Sequence, residues 1–363
     1  MTRLKLALFA AFLPALLPAA AADSPPTKAH AALVHAIAVS PDGKTVATGG
    51  FDNVIKLWTL APDGTLKDPK ELKGHTGPVY AVAFHPTEPV LVSGSQDKTA
   101  KVWSIGDGKM TAEFKGHTDI VDTVAFSPDG KTVASGSADK SVKLWNPKDG
   151  KEIKSLGVHT GSVYAVAFSP DGKVLASASA DKTAKIWDVA GQKELKQLIG
   201  NDEAVTGVTF AGDADTVVTA SMDRTIRVWS VKAVKDIKTL KKDPPKTDPP
   251  KKDAKVDPKD KKDTKDPPKV EEPKIDPKDL GEVKRLGPTS DDPYALVWSA
   301  DTKTLAVIGY SGQITTWALD NEKPKLMKAI KSPGYCIAFT KDGKAVLTGH
   351  DNGSVSLTAL DGK

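Results

Sequence analysis

An all-β propeller of seven blades is the fold this sequence predicts, and three observations carry the expectation. First, six tryptophans, Trp58, Trp103, Trp145, Trp187, Trp229 and Trp317, recur at intervals of 45, 42, 42, 42 and 88 residues. Second, short β-rich runs alternate with turn chemistry inside each interval. Third, Gly-His pairs such as Gly74-His75 and Gly116-His117 open the units. A period of about 40–45 residues with these marks is the sequence form of four-stranded blades arranged in a ring. The long last interval is one period lengthened by a Lys/Asp/Pro-rich insert, which places that insert between the fifth and sixth repeats.

The third unit shows how one blade is built. Val121–Phe126 is apolar and β-prone, and Ser127-Pro128-Asp129-Gly130 then supplies a preset φ at proline and a permissive glycine. Thr132–Ser135 returns as a second strand, Asp139 marks a second tight turn, and Val142–Trp145 is the third strand. Lys151–Ser155 follows as the outer strand before the next unit begins.

These units resemble the WD40 repeat, and the resemblance covers residues 29–360 apart from the insert. It points to an exported bacterial propeller. Blades of that family are pinned by a hydrogen-bonded set of His, Ser or Thr, Asp and Trp. The matching sets here are His30, Thr48, Asp52 and Trp58; His75, Ser93, Asp97 and Trp103; His117, Ser135, Asp139 and Trp145; and His159, Ser177, Asp181 and Trp187. The chemistry is coherent, because buried polar groups are costly unless partnered. Asp can accept from His, the hydroxyl can meet the imidazole, and the indole N–H can donate to the hydroxyl. Four such sets at a fixed period are structural, not hydrolase triads.

The pattern decays toward the C-terminus. The fifth unit keeps Thr219, Asp223 and Trp229 but has Asn201 at the His position. The sixth keeps only Trp317 of its set, with Thr289, Val307 and Ser311 at the other positions. The seventh has Thr348 and Asn352, with Thr358 in place of tryptophan. Weaker pinning is expected in those last two blades. The seventh must borrow its outer strand from the region around Ser24–Ala29, where Pro25 and Pro26 predict a short, irregular closure.

Domain boundaries follow. Residues 1–22 read as a signal peptide: Arg3 and Lys5, an apolar run over Leu6–Leu17, and small residues before Asp23. The run is too short to span a bilayer comfortably, so stable membrane insertion after cleavage is not expected. An exported, periplasmic or secreted location is. Residues 23–240 form blades 1–5 together with the strand that closes blade 7, 241–280 form the insert, and 281–363 form blades 6 and 7. The insert holds thirteen Lys, eleven acidic residues and nine Pro without one aromatic, so it cannot bury a core and disorder is expected. Two segments compete for the outer strand of blade 5, Asp236–Leu240 and Glu282–Leu286. The second is favoured, since Leu286-Gly287 mirrors Leu156-Gly157.

Charge and cysteine usage narrow the function. The formal net charge of +5 falls to +3 once Arg3 and Lys5 are removed, too balanced to argue for nucleic acid or an anionic membrane. The single cysteine, Cys336, excludes an internal disulfide. Four of seven histidines belong to the structural sets, and His35, His85 and His350 stand alone. No metal motif, phosphate loop or cofactor motif is found, so no cofactor and no metal is expected.

Recognition residues are sought where the repeat places unusual side chains. Tyr80, Tyr164, Tyr294 and Tyr335, four of five tyrosines, share one repeat position at the start of the innermost strand. His35, Asp122 and Thr206 hold it in the other units. Tyrosine joins apolar area to a polar tip and is favoured at interfaces, although packing between blades accounts for the same placement. Just before the turn aspartate come Phe51, Met222 and Tyr310 as further contacts, and just after it Lys98, Lys140, Lys182 and Arg224 form a basic arc. The leading expectation is a non-enzymatic scaffold that binds a protein or peptide partner through the top face. The alternatives are a propeller hydrolase or lactonase, for which only His35 and Asp122 qualify, and a structural envelope protein acting through its insert.

Overall fold

The computed structural model describes residues 24–232, 281–330 and 332–360. Residues 1–22, where a signal peptide is expected, and the insert 241–280 lie outside the described residues. The rest is all-β: seven four-stranded antiparallel sheets, each packed on the next until the seventh meets the first. Apolar faces explain the arrangement. Each sheet is buried on both sides, so the core is divided into clusters lying between neighbouring blades. Ala176, Ala178 and Ile186 of the fourth blade, for example, pack on Val205, Val208, Val217 and Trp229 of the fifth.

In each blade the second strand is the most buried. Val133–Ser137, Val174–Ser179 and Thr216–Ser221 are almost wholly enclosed and rich in small or β-branched residues. Outer strands such as Glu152–Val158 are largely open to solvent. The turn between first and second strands is built as its sequence predicts. In the third blade Ser127 Oγ donates to Asp129 Oδ1 at 2.6 Å, and Gly130 takes φ +71°.

The ring closes through Ser24–Lys28, which pairs antiparallel with Ser354–Ala359. Its register breaks between Ser24 and Thr27, at the two prolines, which have no N–H to give the ladder. The outer strand of blade 5 is Glu282–Leu286, paired with Ile226–Ser230. Residues 233–280 therefore separate the third and outer strands of blade 5 itself. Residues 281–286 complete that blade instead of opening the sixth. The chain leaves and re-enters this blade at the end of the propeller opposite the starts of the innermost strands.

The polar sets need one correction. In blades 1, 2 and 4 the set is complete. In blade 4 Nδ1 of His159 lies 2.9 Å from Asp181, Nε2 lies 2.8 Å from Ser177 Oγ, and Trp187 donates to that oxygen at 2.8 Å. In blade 3 His117 meets Asp139 at 2.8 Å and Ser135 at 2.7 Å, yet the Trp145 N–H is buried without a partner. Trp145 is instead stacked flat on Phe114, ring centres 5.1 Å apart and planes 5° from parallel. Burial raises the carboxyls of Asp97, Asp139 and Asp181. The hydrogen bonds from histidine, Ser or Thr hydroxyl and backbone amide outweigh it and hold all three well below the usual carboxylate range.

Two blades that lack the histidine are pinned by substitutes that sequence reasoning missed. In blade 5 Arg227 is 1% exposed and bonds Asp223, the Gly200 carbonyl and Thr225, with Glu282 3.5 Å away. It stands opposite Thr219 in the ladder, where other blades carry Lys56, Lys101, Lys143 or Lys185. In blade 7 His350 reaches Thr348 at 3.2 Å, Ser356 at 3.0 Å and the Pro333 carbonyl at 3.2 Å. The seventh blade is thus re-pinned from within. The sixth is the one left bare: the N–H groups of Trp298 and Trp317 and one oxygen of Asp291 are buried without partners.

Candidate functional site: the channel mouth

Every innermost strand begins with the same irregularity. The ladder between first and second strands skips one residue in all seven blades: between Val34 and Ala36, Val79 and Ala81, Val121 and Thr123, Val163 and Ala165, Val205 and Gly207, Pro293 and Ala295, and Gly334 and Cys336. The skipped residue is a β-bulge, and a bulge re-aims its side chain out of the pleat. Those seven residues are His35, Tyr80, Asp122, Tyr164, Thr206, Tyr294 and Tyr335. All seven line one cavity of about 380 Å³ at the mouth of the central channel. The shared repeat position thus becomes a ring of convergent side chains.

The ring is not uniform. Blades 6, 7, 1 and 2 supply an aromatic arc. Tyr294 and Tyr335 meet edge to face at 5.1 Å, His35 lies 4.7 Å from Tyr80, and Phe51 packs on Tyr80 at 5.2 Å. Tyr310 packs edge-on against Tyr335 at 6.0 Å. Burial, then the Tyr310 hydrogen bond, pushes the Tyr335 hydroxyl up to about 12. Blades 3, 4 and 5 supply Asp122, Tyr164, Thr206 and Met222. Of the residues singled out before the turn aspartate, Met222 lines the cavity, whereas Phe51 and Tyr310 buttress rings that do. Apolar residues deeper in the wall, such as Leu296 and Cys336, carried no sequence signal because they look like any strand residue.

Asp122 is the exceptional member. One of its carboxylate oxygens is buried without a hydrogen-bond partner. Burial raises its pKa to about 7, repulsion from Asp119 and Asp139 adds to this, and the Ala138 amide opposes it. His35 is occupied elsewhere: its Nδ1 lies 3.0 Å from the Tyr80 carbonyl and its ring is among the aromatics. Burial lowers its pKa. The two residues required by the hydrolase alternative are thus in one cavity but serve separate walls.

The basic arc has a backbone origin. Asn53, Lys98, Lys140, Lys182 and Arg224 all have φ between +65° and +73°, and Gly312 and Gly353 occupy the equivalent place in the last blades. The position selects for a left-handed turn. Two of its charges are already engaged, Arg224 with Asp292 at 2.9 Å and Lys182 with the Asp202 carbonyl at 2.6 Å.

Comparison with known families agrees with this architecture. The family model for the WD domain, G-beta repeat, matches residues 25–59 and 66–104. A model described as the IFT122 first beta-propeller matches residues 97–247. The chain belongs to the WD40-repeat family. No curated protein matches it. WD40 propellers commonly mediate protein interactions and are typically non-enzymatic scaffolds. Among the described residues no group of three or more His, Cys, Asp or Glu is placed to hold a metal ion, and no helix is long and apolar enough to cross a membrane.

Proposed function

We propose that this WD40 propeller is a non-enzymatic binding module that takes a protein or peptide partner at the channel mouth. The observation that supports this is the convergence of seven bulged residues, four of them tyrosine, on one cavity. Bulges weaken the ladder locally, and their repetition at the position that carries four of the five tyrosines fits a recognition surface better than a packing device. The N-terminal charged and apolar segment supports export, with the partner met outside the cytoplasm.

The mouth offers rings of two kinds, which makes the reading testable. Tyr164 is 38% exposed, whereas Tyr80 packs at a tilt against the rings of His35 and Phe51. Tyr164→Ser is expected to leave the melting temperature near that of the parent and to weaken peptide or partner capture at least tenfold, since a hot-spot aromatic is worth about 2 kcal/mol or more. Tyr80→Ser is expected to lower both. If Tyr164→Ser binds a peptide selected on the parent as well as the parent does, recognition lies elsewhere.

A further inference from the structure

We infer that the channel mouth receives a monovalent organic cation at the end of an apolar stem, the ammonium or guanidinium of a partner's Lys or Arg side chain, with Asp122 as its counter-ion. This deepens the proposed function and rests on it for the peptide source, but not for the cation chemistry.

The starting observation is the orphaned carboxylate oxygen of Asp122, buried at the wall of an open cavity. A buried carboxylate is normally paired or fully hydrogen-bonded, and leaving one unpaired is costly. The charges that act on this one are both of like sign, Asp119 just before its strand and Asp139 in the following turn. Asp139 is itself committed to His117 and Ser141. The fold therefore concentrates negative potential at this wall and does not supply its neutralisation.

The walls suit the same ligand. Tyr80 and Tyr164 stand on the blades either side of Asp122, and Tyr294 lies further round the ring. The hydroxyls of all three feel the Asp122 charge, after the larger effect of burial. Aromatic faces attract cations, most strongly where water is excluded. The remaining lining beneath the ring is aliphatic, including Val82, Val124 and Val208, which accommodates an alkyl stem. A volume of about 380 Å³ admits one such side chain. An anionic ligand would meet an unneutralised carboxylate, and a purely apolar one would leave that carboxylate buried and unpaired.

The pH dependence has a definite sign. Burial and its like-charged neighbours raise the Asp122 carboxyl to about 7, so the counter-ion is present above that pH and lost below it. The groups facing it do not reverse this. The Tyr80, Tyr164 and Tyr294 hydroxyls are raised, and the His35 imidazole is lowered by its burial.

The test titrates n-butylammonium and its neutral counterpart n-butanol into the full chain with isotope-labelled tyrosine rings, at pH 8.5 and 6.0. The ammonium is expected to shift the Tyr80 and Tyr164 resonances at concentrations at least tenfold below those needed for the alcohol. That preference should shrink at pH 6.0 and vanish in Asp122→Asn, whose melting temperature should not fall because an unpaired charge has been removed. Equal responses to the two probes overturn the inference, as does a folded Asp122→Asn that keeps the preference. Peptides selected from a random library separate the two readings. Selected peptides that compete at the mouth without a basic residue overturn the cation site and leave peptide binding standing. An ammonium preference with no selected peptide upholds the cation site, removes the peptide reading, and assigns the site to a free amine.

Discussion

Trp145 and Trp187 occupy the same register in adjacent blades and are equally buried, yet only Trp187 donates its N–H to the blade's serine. The difference comes from one neighbour. Phe114 lies flat on Trp145, and that stack takes the place of the indole hydrogen bond. Trp187→Phe removes a bond of 2.8 Å and should cost about 1 kcal/mol more than Trp145→Phe, which instead removes a buried unsatisfied donor. Paired urea melts would show it, and equal losses would mean that the indole N–H contributes nothing to pinning. The histidine and tryptophan of each of the four sets were legible from the repeat and its resemblance to the WD40 pattern. Which indole makes its bond was not, because that depends on a ring from the preceding blade's outer strand.

At the scale of one blade, the fifth shows how a lost histidine is replaced. Arg227 bridges Asp223, the Gly200 carbonyl and Glu282 from the third strand. Both carboxylates are less than a tenth exposed, so removing the guanidinium takes the cation from buried Asp223 and leaves Glu282 with Arg285 alone. Arg227→Met is expected to cost about 3–5 kcal/mol. The same change at Lys185, whose partner Glu194 is solvent-exposed, should cost under about 1 kcal/mol. Chemical denaturation of the two variants decides this, and a similar loss in both would remove Arg227 as the fifth blade's pin. In the sequence Arg227 looks like one more exposed strand residue. It becomes central only when the Asn201 position cannot supply an imidazole and the outer strand after the insert brings Glu282.

The whole ring is held by its seven interblade cores and by the strand Ser24–Lys28, which ties the N-terminal region to the last blade. The insert enters this picture only through its ends. Ser230 N donates to the Gly281 carbonyl at 2.9 Å, so the chain leaves and returns at neighbouring points. In blade 4 the same connection takes only residues 189–192. Replacing residues 233–280 by a four-residue turn should therefore preserve a single cooperative melt within a few degrees of the parent. Loss of cooperativity, or failure to fold, would show that the insert contributes to the propeller. Ligand capture at the mouth should also survive the replacement, because the chain leaves and re-enters blade 5 at the opposite end of the channel.

The repeat period, the turn chemistry and the alternation of apolar residues are local properties, and they were enough to determine seven blades and their order; between Asp236–Leu240 and Glu282–Leu286 as the outer strand of blade 5, the strand pairing decided. They also placed Tyr80, Tyr164, Tyr294, Tyr335, His35 and Asp122 at one repeat position. Only the closed ring turned that position into a site, because a bulge in each innermost strand aims seven side chains at the same axis. Only the ring, too, decided that the carboxylate of Asp122 would be desolvated beside like charges while His35 was taken up by the wall. Burial and hydrogen-bond partners depend on what the closed ring brings together, as with His35 and the Tyr80 carbonyl 45 residues on, and a one-dimensional pattern does not carry those distances.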